Sequence, residues 1–271
     1  MLLRIAGRLF LLAFAIIILL PLIFLIVTTI KDQQQFYASP LGIPSSFTGQ
    51  NYSHLFDSQP MLSYFSNSIT VSFSTVVLEL IVSSMIAYGI YRIANRLGLI
   101  LYGIFLIGLM VPAQVNMIPI YSFMRDLGLM NSRFGLILVT VAMLLPVAVF
   151  MLTGFMRALP KEMFEAGSMD GAGEWRLYTQ IALPLSAPSL AATAIFLLVG
   201  VWNDLLFPML LLTDKAKMTL PLALLQFQGE YSTNYPGLLT GVVLISLPML
   251  ILFLLLQRYF ISGMAAGSLK G

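Results

Sequence analysis

Residues 165–188 read EAGSMDGAGEWRLYTQIALPLSAP, and the rest of the chain is organised around them. The stretch lies between two long apolar runs. Of the 14 Lys and Arg and 11 Asp and Glu in the chain, seven fall between 157 and 176: Arg157, Lys161, Glu162, Glu165, Asp170, Glu174 and Arg176. This segment therefore stands in water. Pro160 suits the first turn of a helix, where its fixed φ fits and its missing N–H is not needed. Glu162 and Glu165 favour the positive end of that helix. Asp170-Gly171 reads as its stop, because Gly takes the left-handed conformation at little cost. A second helix is expected from Glu174 to Ala182, ending before Pro184. On it Trp175 and Tyr178 share one face, and Leu177 and Ile181 another. The result is a helix–turn–helix with apolar side chains, suited to docking a soluble partner. The alternative is a loop lying along the bilayer interface, anchored by Trp175 and Tyr178.

Working outward, the flanks are oil. The 271 residues are 59% apolar and 9% charged, against about 25% charged in soluble domains. Mean hydropathy is +0.95. The expected class is an all-α integral membrane protein with a single transmembrane domain over 1–271. The absence of Cys excludes disulfides and thiolate metal sites. No Lys/Arg-rich run of the nucleic-acid-binding kind is present. Arg4 and Arg8 precede an apolar run too long for a signal peptide, so Leu9–Thr29 reads as a retained span.

Five more spans follow, each near the ~20 apolar residues that cross a bilayer. They are Asn67–Tyr91, Leu99–Met124, Gly135–Phe155, Ser189–Leu212 and Gly237–Ile261. The third contains Pro112 and Pro119 and is expected to break near its middle, beside Gln114 and Asn116. The polar stretch 31–66 has no sustained helical period and reads as an external loop. His54 within it is the only histidine. With no second ligand nearby it is a solvated loop residue rather than a metal ligand. A second external loop is expected at 213–236, a cytoplasmic loop at 158–188 and a cytoplasmic tail at 262–271. With both termini in the cytoplasm, nine Lys and Arg lie inside (Arg4, Arg8, Arg92, Arg96, Arg157, Lys161, Arg176, Arg258, Lys270). Five lie outside (Lys31, Arg125, Arg133, Lys215, Lys217). The positive-inside rule favours this orientation, which places the helix–turn–helix where ATP is.

The central stretch resembles the coupling loop of ATP-binding cassette importer permeases. That pattern is Glu-Ala-Ala, three residues, Gly, then Ile-x-Leu-Pro. Here it reads Glu165-Ala166, Gly171 and Ile181-x-Leu183-Pro184. Asp170-Gly171-Ala172 is similar to the sugar-importing branch. One departure is Gly167, which stands where the family usually has its second Ala and loosens the first helix by roughly 1 kcal/mol. Asn51-Tyr52 in NYSHLF, Trp202-Asn203-Asp204 and the ending SGMAAGSLKG (262–271) also resemble maltose-type sugar permeases, so the likeness covers about Asn51 to Gly271. The resemblance implies that Glu165, Ala166, Gly167, Asp170, Gly171, Ile181, Leu183 and Pro184 dock on an ATPase subunit. It implies a second homologous permease, two ATPase subunits holding ATP and Mg, and an extracytoplasmic solute-binding protein. It also implies a bacterial or archaeal cytoplasmic membrane, and a tail able to reach the ATPase dimer.

Two acids lie within spans. Glu79 sits near the middle of span two, where an ionised acid costs about 2.5–3.5 kcal/mol on insertion scales. It should face a cavity or a partner, or stay protonated. Asp204 lies beside Trp202 and Asn203. An acid, an amide and an aromatic face are the three groups that bind sugars, so these residues are pore candidates together with Glu79, Gln114 and Asn116. The alternative is that Asn203 and Asp204 satisfy backbone groups freed by Pro208 or by a neighbouring span. In the external loop, Gln226, Phe227, Gln228 and Tyr231 are candidate contacts for the binding protein, or part of an ordinary polar connector. No G-x-x-x-x-G-K-[ST], H-E-x-x-H or G-x-S-x-G occurs. No catalytic residue, metal or cofactor is assigned to this chain, and ATP hydrolysis belongs to another. The reading is a permease subunit of an ATP-driven importer for a sugar or oligosaccharide. Its rivals are an ion-coupled secondary transporter using Glu79 and Asp204, a membrane enzyme, for which no constellation is found, and a same-family permease for a non-sugar solute such as an amino acid or peptide.

Overall fold

The computed structural model describes residues 2–93, 95–227 and 234–268. In chain order the α-helices are α1 (Leu2–Thr29), α2 (Gln33–Ala38), α3 (Gln50–Ser58), α4 (Met61–Arg92), α5 (Arg96–Leu109), α6 (Met117–Asp126), α7 (Arg133–Met156), α8 (Lys161–Met169), α9 (Glu174–Leu177), α10 (Leu183–Leu185), α11 (Ala187–Trp202), α12 (Leu206–Leu211), α13 (Leu220–Leu224) and α14 (Tyr235–Ser268). Among the described residues there is no strand. Four helices are long and apolar enough to cross a membrane unaided: 7–29, 61–92, 133–156 and 235–255. Two bent pairs bring the number to six if each counts as one span.

The first bent pair is the broken third span. α5 stops at Leu109, a 3₁₀ turn covers Ala113–Asn116, and α6 resumes at an angle of 88°. Pro112 holds an extended ψ of 136° that cannot continue a helix. Pro119 falls in the first turn of α6 and is tolerated there. The fifth span departs from expectation. It is not continuous over 189–212, because α11 ends at Trp202 and α12 starts at Leu206. The tail expected from 262 continues α14 as helix to Ser268, and 269–271 lie outside the described residues.

The described residues group into two compact units, 1–64 with 220–250 and 65–219 with 251–271. In the first, every residue from 7 to 23 is exposed, as suits a helix meant for lipid. The stretch 31–66 is more ordered than its lack of period suggested. It holds α2 and α3, and α4 already begins at Met61. Capping explains the short α2, since the Asp32 carboxylate accepts the Gln35 N–H at 2.7 Å. Lys31 is buried and donates through Nζ to the carbonyls of Ser39 and Pro40. The Asn-Tyr pair ties α3 to the end of α1. Asn51 donates Nδ2 to the Thr29 and Lys31 carbonyls, both at 2.7 Å, and the Tyr52 hydroxyl donates to Thr29 Oγ1 at 2.9 Å. Asn51→Ala strands two carbonyls and is expected to cost about 1–3 kcal/mol. A lowered unfolding midpoint of the purified chain checks this.

In the second unit, α4, α7 and α11 pack through Val76, Ala148 and Leu197. α5 lies against α7 at Gly108, where an added Cβ would come within 3.0 Å of Pro146. One end of this unit is tied by Asn67, which donates to the Ala216 and Met218 carbonyls and accepts from Arg133 at 2.7 Å.

Candidate functional site

The loop 158–188 folds as a helix–turn–helix. α8 begins directly after Pro160 and ends in a Schellman turn. The Ala172 N–H reaches the Gly167 carbonyl and the Gly171 N–H reaches that of Ser168, with Gly171 at φ +78°. The second arm differs from expectation. It does not end before Pro184 but runs through it to Leu185, then bends 73° into α11. Between α9 and α10, residues Tyr178–Ala182 form a π-turn in which the Leu183 N–H bonds the Tyr178 carbonyl. Proline ends an α-helix by clashing with the carbonyl four residues back. The wider π-turn just before Pro184 relieves that clash.

Both arms are fastened to the ends of α4 and α7. Phe164, Leu177, Tyr178 and Ala182 are buried with Ala87, Tyr88, Leu152 and Met156 in one cluster. The Tyr178 hydroxyl and Ser84 Oγ lie 2.8 Å apart in the interior. Above them, Glu174 accepts from Arg92 Nη2 at 2.6 Å, from Arg92 Nε at 3.0 Å and from the Tyr88 hydroxyl at 2.7 Å. The Arg92 guanidinium and, next, the Tyr88 hydroxyl hold the Glu174 carboxyl below the usual carboxylate range. Sequence reasoning missed this anchor. Its signal was Tyr88 and Arg92 at i,i+4 on the last turn of α4.

The docking candidates divide by direction. Glu165, Ala166, Asp170, Gly171 and Pro184 are exposed, whereas Gly167, Ile181 and Leu183 are half-buried. Ile181 and Leu183 pack on the buried cluster. A Cβ at Gly167 would lie 2.7 Å from Leu177 Cδ2 and 2.9 Å from Ile181 Cδ1. The departure at 167 thus lets the two arms close on each other. Gly167→Ala gains about 1 kcal/mol of helix propensity, but overpacking costs about 1–3 kcal/mol. A lower, not higher, unfolding midpoint is expected. Trp175 and Tyr178 do share a face, with ring centroids 5.5 Å apart, and Trp175 is exposed.

The intramembrane candidates are not gathered into one pocket. Asn116 lines a cavity of about 370 Å³ with Gly108, Met143 and Pro146, at the break after α5. Gln114 in the same turn is exposed. Trp202 is 4% exposed and packs edge-on against Phe65, with centroids 6.0 Å apart, so its ring is not open to a ligand. The Asn203 side chain donates to the Val199 carbonyl at 2.8 Å. Asp204 accepts the Leu206 N–H at 3.0 Å at the start of α12. Asp204 thus meets a backbone N–H freed where the helix breaks, whereas Asn203 bonds back to a carbonyl that already accepts its own backbone N–H. Glu79 is fully buried, and neither carboxylate oxygen has a partner among the described residues. The stretches 134–156 and 187–202 that pack nearby carry no charged residue.

Gln226 and Phe227 are half-buried in a 3₁₀ turn. Gln228 and Tyr231 lie outside the described residues. Among the described residues no group of three or more His, Cys, Asp or Glu is placed to hold a metal.

Residues 79–266 match the family described as binding-protein-dependent transport system inner membrane component. The chain is 35% identical over 263 residues to the arabinooligosaccharides transport system permease protein AraQ of Halalkalibacterium halodurans, covering 95% of this chain and 93% of that protein. It is 34% identical over 262 residues to the trehalose/maltose transport system permease protein MalG of Thermococcus litoralis, again covering 95% and 93%. Its fold is similar to a chain of a bacterial ABC transporter involved in the import of the acidic polysaccharide alginate. That match has a TM-score of 0.80 and 21% identity, and covers 96% of each chain. The family match runs from the middle of α4 almost to the end of α14 and takes in the anchored helix–turn–helix and both bent helix pairs; the chain therefore belongs to the inner membrane components of binding-protein-dependent transport systems.

Proposed function

We propose that this chain is one of two membrane subunits of an ATP-driven importer for a sugar or oligosaccharide, and that 165–188 is its coupling arm. The observation that carries this reading is the anchoring of the arm. Phe164, Leu177, Tyr178 and the Glu174–Arg92–Tyr88 contacts fix it to two span ends, while Glu165, Ala166, Asp170 and Gly171 face outward. A push on that outward face reaches α4 and α7 through packed side chains. ATP and Mg sit on two partner ATPase subunits. Their closure moves the arm, the spans rock, and a path shared with a second, homologous permease opens inward.

The saccharides in the relatives' names support a sugar over another solute. Both termini are placed in the cytoplasm on the Lys and Arg asymmetry, and an extracytoplasmic binding protein meets the loop 213–236. Gln114, Asn116, Asn203, Asp204 and Glu79 are the polar groups available to a path through this chain. Family membership disfavours the ion-coupled alternative, because a docking arm has no use in a stand-alone carrier.

Gentle detergent purification of the tagged chain from its native cell, with mass spectrometry of what co-purifies, tests the proposal. An ATPase and a second permease are expected, and the ligand of the co-purified binding protein names the sugar. Recovery of the chain alone, as a homo-oligomer that transports without ATP, would overturn it.

A further inference from the structure

Beside the coupling arm, and not part of its docking face, a cavity of about 360 Å³ opens between the end of α4, the start of α5 and the α7–α8 junction. Tyr91, Asn95, Leu99, Arg157 and Lys161 line it. We propose that this cavity seats the phosphate headgroup of an anionic phospholipid, on the reading that this end of the unit lies at the cytoplasmic membrane face.

Two cations without a carboxylate partner among the described residues carry the inference. The Arg157 guanidinium lies over the Tyr102 ring, 4.5 Å from its centroid, and Tyr102 is in turn stacked on Phe150. The ring face positions the guanidinium without using its five N–H donors. Among the described residues neither Arg157 nor Lys161 forms an ion pair. Glu165 lines an adjoining, smaller hollow that shares Tyr91 and Lys161 with this cavity, but does not itself line the cavity and forms no ion pair with Lys161. From α5, Leu99 lines the cavity and is exposed, and Ile100, Ile104 and Ile107 farther along the helix are exposed as well. The headgroup phosphate meets the two cations, and the exposed apolar side chains of α5 face lipid acyl chains. Basic pockets between helices at the cytoplasmic side are known receptors for anionic headgroups.

The test is native mass spectrometry of the purified full-length chain after titration with phosphatidylglycerol or phosphatidylcholine. Retention of phosphatidylglycerol over phosphatidylcholine is expected. Each cation removed should weaken it about fivefold, so Arg157→Gln with Lys161→Gln should weaken it about 25-fold. Arg125→Gln with Lys215→Gln, away from the cavity, should leave it unchanged. Equal retention of both lipids, or of phosphatidylglycerol by the cavity double variant and the wild type, would overturn the proposal. Full displacement by inorganic phosphate would assign the site to a free anion instead. Loss of lipid selectivity only when an ATPase partner is bound would assign the cations to that protein. The readout needs neither ATP nor substrate, so its failure leaves the importer reading untouched, and the reverse.

Discussion

Phe164→Ala is expected to lower the stability of the chain by about 3–5 kcal/mol, the usual cost of truncating a buried aromatic. Phe164 is 1% exposed and packs against Tyr88 and Tyr91, with ring centroids 6.5 and 5.2 Å away. It is the one fully buried side chain of α8, so its removal leaves a cavity and frees that helix from the ends of α4 and α7. A lower unfolding midpoint in detergent checks the stability change. Uptake should fall as well, since a loosened arm no longer passes motion to the spans. An unchanged midpoint would mean that the arm is held mainly by its second half, through Leu177, Tyr178 and Glu174.

Glu165→Lys is expected to behave in the opposite way. Glu165 is exposed one residue along from Phe164, and among the described residues its side chain has no hydrogen bond or ion pair. Reversing its charge should leave insertion and the unfolding midpoint intact. Like-charge juxtaposition at an interface costs several kcal/mol, so uptake should drop by at least about tenfold. ATP hydrolysis by the assembled complex should continue without driving transport. Normal ATP-coupled uptake by this variant would sink the docking role of α8. Together the two variants separate the inward face that anchors the arm from the outward face that meets the partner.

Much of this was legible in the chain alone. Apolar runs of bilayer length, the break at Pro112 and the stop at Asp170-Gly171 are written in local chemistry. Each depends on a few neighbouring residues, on backbone geometry or on hydropathy. The pattern Glu165-Ala166…Gly171…Ile181-x-Leu183-Pro184 likewise points to the family from the sequence alone. Local reading failed where neighbours in space decide. Pro184 alone predicts a helix end, yet the π-turn at Tyr178–Ala182 carries the helix past it. The apolar run 189–212 alone predicts one span, yet the chain leaves helical geometry at Asn203–Leu205, where the Asp204 carboxylate takes up the freed Leu206 N–H.

The sequence by itself determined that this is a membrane permease with one wet, punctuated arm, because hydropathy and turn chemistry act over short stretches. Only the tertiary structure decided which faces of that arm point inward. Phe164 and Leu177 pack with Tyr88, and Glu174 bonds Arg92, across dozens of residues, while Gly167 lets Leu177 close in from ten residues on, and nothing in their spacing announces such contacts. Packing of that kind is settled by shape and by the need to fill space and pair buried polar groups, which no window along the chain can evaluate.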